Sequence, residues 1–174
     1  MNNEVLQNIR TRRSCRAYTA QPVEPEKLKA ILEAGTWAAS GHGWQAAKIV
    51  VLQDAAEIAE LERMNAAVLG NPAAHPFYGA PVVCVVLTDP EVSTCVEDGA
   101  LVIGNLMLAA HSLGVASCWI HQAREEFDSP EGKALLKKWG VDERYIGVGH
   151  CILGYAASEA PAPKPRKNDY VIYR

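Results

Sequence analysis

The hydrophobic positions of this chain fall into two periods, and the switches between them mark its elements. Leu6 and Ile9 share a helical face and predict a short first helix. Pro25 opens a second, in which Leu28, Ile31 and Leu32 recur at helical spacing and which ends between Gly35 and Ser40. Lys48–Leu52 is short, apolar and β-branched, which predicts a strand. Asp54 then caps a helix with Ile58, Leu61 and Val68 on one face. The turn-rich stretch Pro76–Pro81 leads into Val82–Thr88, apolar through Leu87 and predicted to be a central strand covered on both faces.

Glu97–Leu113 is apolar nearly all round, through Leu101, Val102, Leu106, Leu108 and Ala109, which predicts a helix buried in a core or a subunit interface. Gly114 ends it. Val115–Ile120 is a further strand, Ser129-Pro130-Glu131 starts a helix that runs to Trp139, and Tyr145–Leu153 is a last core strand. From Ala156 the pattern breaks. Pro161, Pro163 and Pro165 impose an extended arm over 156–174 that ends in the strand-like Tyr170–Tyr173, and such an ending needs a surface to lie on. With no internal repeat and no linker, residues 1–174 read as one α+β domain.

Composition narrows the function classes. The 174 residues are 49% hydrophobic and 21% charged with a formal charge of -3, so bulk charge gives no argument for nucleic acid and any anion site must be local. No apolar stretch reaches the roughly 18 residues of a membrane span and the start lacks a signal-peptide core, which places the protein in the cytoplasm. The five cysteines, Cys15, Cys84, Cys95, Cys118 and Cys151, are odd in number and lack a CxxC spacing, so they read as reduced, mostly buried thiols. The nucleotide fingerprints, the HExxH zinc motif and the GxSxG elbow are absent, and no metal site is assigned.

What stands out is Arg12-Arg13-Ser14-Cys15-Arg16, three guanidinium groups and a hydroxyl within five residues. Forked arginine donors match phosphate oxygens, and in extended chain Arg12, Ser14 and Arg16 share one side. A solvated basic patch is the plain alternative. A second basic knot, Lys164-Pro-Arg166-Lys167, lies in the proline-stiffened arm, and the two could meet on one dianion.

Taken in order along nearly the whole chain, these stretches resemble the nitroreductase family. Ile9–Tyr18 is similar to its N-terminal pattern of Arg, any residue, Ser, any residue, then Lys or Arg. The resemblance gives Arg12 and Ser14, with Arg13 beside them, to the phosphate of FMN. It places Arg16 at the N1 and O2 side of the ring, where its charge would stabilise the reduced flavin. Ala39–Gln45 is similar to a loop that reaches the flavin from the partner subunit, implying main-chain contacts from Ala39, Ser40 and Gly41, with Gly43 and Gln45 in the same loop. Gly43 stands where many members have Asn, and Ala46-Ala47 replaces Pro-Trp. Trp44 either shapes a substrate pocket or covers the dimer seam, and Asn65 and Tyr78 are further candidates for the flavin or the pocket.

Leu108–Gly114 and Ala116–Ile120 look like the family's interface helix and the strand beside the isoalloxazine, which puts the backbone of Trp119, Ile120, His121 and Gln122 along the ring and its N5. No catalytic side chain is assigned, and His111 reads as a satisfied core residue. Gly147–Tyr155 and Lys164-Pro-Arg166 resemble the last core strand and the C-terminal phosphate pair. The resemblance thus implies a nitroreductase-like mixed sheet flanked by helices in an intertwined homodimer, with bound FMN and NAD(P)H as transient donor. Hydride would pass through N5 to nitroaromatic or quinone-like acceptors. The altered loop keeps a second reading open, a non-catalytic protein that stores or senses FMN, and a basic-patch interaction domain is a third.

Overall fold

The computed structural model describes residues 2–174. Four strands, β1 (Ala47–Leu52), β2 (Val82–Thr88), β3 (Ala116–Ile120) and β4 (Ile146–Gly154), form one sheet in the order β1-β2-β4-β3. Six α-helices accompany them: α1 (Glu4–Thr11), α2 (Pro25–Thr36), α3 (Ala55–Val68), α4 (Cys95–Ser112), α5 (Ala123–Asp128) and α6 (Pro130–Lys138). All three ladders are antiparallel. The expected mixed sheet is therefore corrected within one chain. β4 arrives last and inserts between β2 and β3, which run in the same direction, so no two neighbours are parallel. The parallel contact that exists is the bridge Ser14–Ser117 beside the sheet's edge.

Alternation along the strands builds two cores. Val83, Val85 and Leu87 face Leu61, Met64, Phe77, Phe127 and Leu136, whereas Val82, Cys84 and Val86 face Leu28, Ile31, Val102, Ile103 and Leu106. The sheet thus lies between α3, α5 and α6 on one side and α2 and α4 on the other. As expected for central strands, β2 and β4 are buried at every position. Capping follows the local chemistry: the Asp54 carboxylate accepts the N–H groups of Ala56 and Glu57, and the Ser129 hydroxyl accepts that of Gly132.

Two expectations need correction. On α3, Val68 is exposed and the buried face is made by Leu61, Met64 and Ala66. Helix α5 has no amphipathic signature, because it docks largely through its backbone. A Cβ on Gly147 would fall on the Ala123 carbonyl, and one on Gly132 on the Glu126 carbonyl. The arm over 156–174 is exposed throughout, and Tyr170–Tyr173 forms no strand within one chain. Among the described residues no helix is long and apolar enough to cross a membrane.

Replacing Gly147 by Ala should push α5 off β4 and lower stability by at least about 1–3 kcal/mol; urea unfolding checks this, and an unchanged midpoint would show that the backbones yield.

Candidate functional site

The basic strip takes its place from the edge of the sheet. After α1 the chain runs extended along β3 and the root of the arm, with Cys15 N–H donating to Ser117 O at 3.0 Å, Thr19 N–H to Tyr155 O at 2.8 Å and Ala157 N–H to Ala17 O at 2.9 Å. Beside it lies a cavity of about 480 Å³ lined by Arg13, Ser14, Arg16, His111 and the arm as far as Pro161. Arg12 is the C-cap of α1, donating its N–H to Asn8 O at 3.1 Å, and with φ of -57° and ψ of 132° it already begins the extended run. As the alternation predicts, Arg12, Ser14 and Arg16 all act on the Cys118 thiol, the serine through a hydrogen bond and the arginines through their charge. Arg12 is half-buried, and its Nη1 is shielded from solvent without a partner. Arg13 spends donors on its own turn, reaching the carbonyls of Arg10 and Arg12 at 2.7 Å each.

The local field is positive although the chain is slightly acidic overall. His111, expected to be a satisfied core residue, instead lines this cavity and shares a 2.8 Å hydrogen bond with Thr11 Oγ1. Partial burial lowers its pKa, and the charges of Arg12 and Arg13 lower it further. The thiols are quiet. All five cysteines are free, and burial pushes Cys84 up to about 12 and raises Cys118 and Cys151.

At the far end of β3 the chain turns sharply. Ile120 is buried, His121 is exposed, and Gln122 holds φ of 72° at the N-cap of α5. Trp119 lies across Gly149 of β4, where any side chain would strike the indole. Asn65 is wholly buried; its Nδ2 donates to His121 O at 2.8 Å and its Oδ1 is left without a partner. Asn65 therefore reaches the 119–122 segment from beneath.

The 39–45 loop is a third piece. Its short 3-10 turn, Gly41–Gly43, is pinned by Asp98 of α4, whose buried carboxylate accepts Gly41 N–H at 3.0 Å. His42, Gly43 and Gln45 all have positive φ. Gly43, at 70°, adopts a conformation that Asn tolerates better than most other side chains, so Gly in a position where Asn is frequent preserves the turn. Exposed Trp44 stacks on His42 with ring centroids 4.9 Å apart. Ala39, Ser40 and Gln45 open onto a larger, mostly apolar groove of about 820 Å³ between α2 and β1.

One chain does not bring all these pieces together. The strip and the 119–122 turn belong to the β3 edge, and the 39–45 loop leads into β1 at the opposite edge. Three strand spacings separate the two edge strands, about 14 Å. Lys164 and Arg166 stand on the exposed arm beyond the part that lines the cavity. His111 and Asp98 are the residues that sequence reasoning missed, and the basic strip lies too far from either along the chain to have pointed to them.

Known proteins are similar over nearly the whole chain. A sequence model described as Nitroreductase family matches residues 9–155. A protein of Archaeoglobus fulgidus provisionally named NADH dehydrogenase/NAD(P)H nitroreductase is 31% identical over 162 residues, 90% of this chain and 87% of its own. Among solved structures, a nitroreductase with bound FMN from Bacteroides fragilis has a TM-score of 0.92 at 33% identity, covering 99% of this chain and 100% of its own. Another with bound FMN, from Desulfitobacterium hafniense, has a TM-score of 0.91 at 29% identity, covering 100% of both.

His111 should titrate below an ordinary histidine in the protein free of anions, because burial disfavours its charged form and an imidazolium there also faces two arginines. FMN or inorganic phosphate should move it upward by offsetting those charges; NMR titration of the imidazole checks the sign.

Proposed function

The chain belongs to the nitroreductase family, and from that premise we propose that it is an enzyme passing hydride from NAD(P)H, by way of bound FMN, to nitroaromatic, quinone-like or related acceptors. The observation that carries the reading is the basic strip, in which Arg13, Ser14 and Arg16 line one cavity and the adjoining Arg12 keeps a buried Nη1 without a partner. A buried charge without a counterion is unfavourable, so a site built this way suits an anion. The cluster of Ser14, Arg16 and Arg13 around the same cavity fits a phosphate monoester better than a lone surface patch does. Five free cysteines fit a reducing compartment, in keeping with the cytoplasm.

When bound, FMN supplies the redox chemistry at N5. The chain's own groups bind and orient. Arg12 and Ser14, with Lys164 and Arg166 swung in from the arm, hold the phosphate. Arg16, exposed and free of ion pairs among the described residues, brings positive charge to the pyrimidine edge of the ring. The backbone of Trp119, Ile120, His121 and Gln122 lies along the ring. Ala39, Ser40, Gly41, Gly43 and Gln45 come from a second copy, since within one chain they stand at the other edge of the sheet.

That second copy also gives the arm a surface. Tyr170, Val171, Ile172 and Tyr173 are 62–91% exposed. β1 keeps one edge unpaired among the described residues, beside the apolar groove against α2. Addition of the arm's end to that edge in the partner would satisfy both, and the half-exposed Leu101 and Val96 of α4 would be covered in the same homodimer.

The purified protein should be yellow, release FMN on denaturation, and oxidise NADH or NADPH with menadione or nitrofurazone; a yellow protein without turnover would instead be a flavin store or sensor. Arg12→Ala or Arg166→Ala should weaken FMN binding about 10- to 100-fold, as loss of a charge-assisted hydrogen bond does, and fluorescence titration measures it. Truncation after Ala156 should convert the dimer to monomers on size-exclusion chromatography, and a truncated protein that stays dimeric would remove the arm from the assembly.

A further inference from the structure

The turn at the end of β3 is one that its sequence does not favour. Gln122 holds φ of 72° without being glycine and without a side-chain cap for α5, a left-handed conformation that side chains bearing a Cβ disfavour. Such a conformation persists only where its surroundings over-determine it. Asn65 of α3 holds the His121 carbonyl. Gly147 of β4 admits the Ala123 carbonyl where a side chain would exclude it. A third tether is Glu126 of α5, whose Oε2 lies 2.6 Å from Nε2 of His150 on β4, with the two residues 1% and 0% exposed.

This pair has no evident use as a source of stability. Taking two ionisable groups out of water offsets most of their attraction, and apolar residues of similar volume serve a core at least as well. The surroundings are apolar already: the rings of Phe77 and Phe127 lie 5.4 and 6.4 Å from the imidazole. His150 Nδ1 and Glu126 Oε1 are buried without partners. What the pair supplies, and Leu or Phe would not, is direction. His150 is the ladder partner of Ile120, and Glu126 N–H donates to Gln122 O at 3.0 Å. Ladder, side-chain hydrogen bond and helical turn therefore close a ring through Ile120, His150, Glu126 and Gln122, with His121 spanning the gap between Ile120 and Gln122.

We propose that Glu126 and His150 are positioning residues that set the His121–Gln122 backbone, and through it the seating of the flavin ring, without touching either cofactor or substrate. The inference rests on the reading above that this backbone lies along the ring. Replacing the pair changes how the ring is held and leaves the phosphate grip, made by other residues, in place.

Glu126→Leu removes the tether at similar volume, whereas Glu126→Gln keeps an acceptor for His150 Nε2. In the FMN-loaded protein, Glu126→Leu should alter the visible circular dichroism of the flavin and lower kcat about tenfold or more, as misplacement near a reacting centre does. FMN affinity should stay within about threefold, and Glu126→Gln should restore both the spectrum and kcat. Amide exchange at His121 and Gln122 should accelerate in the Glu126→Leu protein while β4 stays protected. Should Glu126→Leu fail to fold, the double exchange Glu126→Met with His150→Leu keeps the core apolar and carries the same expectations. A folded variant with lower thermal stability but the wild-type flavin spectrum and kcat would show the pair to be structural only and overturn the proposal. Wild-type protein that took up no FMN would overturn the functional reading, and this inference with it, before any variant was made.

Discussion

β4 makes ladders on both sides and is buried along its whole length, and nearly every segment of the candidate site takes its position from it. It holds β3 at the sheet's edge. Through Gly147 and His150 it seats α5, and through Tyr155 and Ala157, just past its end, it anchors the basic strip and releases the arm. Because the last strand in the sequence lies between β2 and β3, the extended segment after α1 and the root of the arm meet beside one edge of the sheet.

Local charge is the second constraint. A formal charge of -3 spread over 174 residues gives no long-range pull on an anion. The strip's charge is concentrated at short range: Arg13, Ser14 and Arg16 line the cavity, and His111 is kept toward its neutral form by burial and by the charges of Arg12 and Arg13. The thiols nearby stay protonated for the same reason of burial, so Cys118 and Cys151 are packing groups.

Edge placement also keeps the candidate segments apart within one chain. The 39–45 loop, pinned to α4 by Asp98, lies at the β1 edge, and the arm carries Lys164 and Arg166 away from the body of its own chain. Exchange between two copies would meet both needs, since each copy offers an open β1 edge and an apolar groove to the other's arm.

Much of this was legible in the residues themselves, where local chemistry decides. Periodicity marked nine of the elements, and Asp54, Ser129 and Gly114 marked ends that depend only on the backbone groups next to them. The ordered motifs also identified the family. Other features arise from residues far apart in the chain. Helix α5 was invisible because two glycines on other elements, Gly132 and Gly147, make its bed. The antiparallel sheet follows from which strand inserts between which, a matter of global packing. Sequence by itself determined the elements and the chemical character of the strip, both written in neighbouring residues. Tertiary structure alone decided what stands beside the strip and which polar atoms are left without partners, because those depend on contacts between residues far apart along the chain.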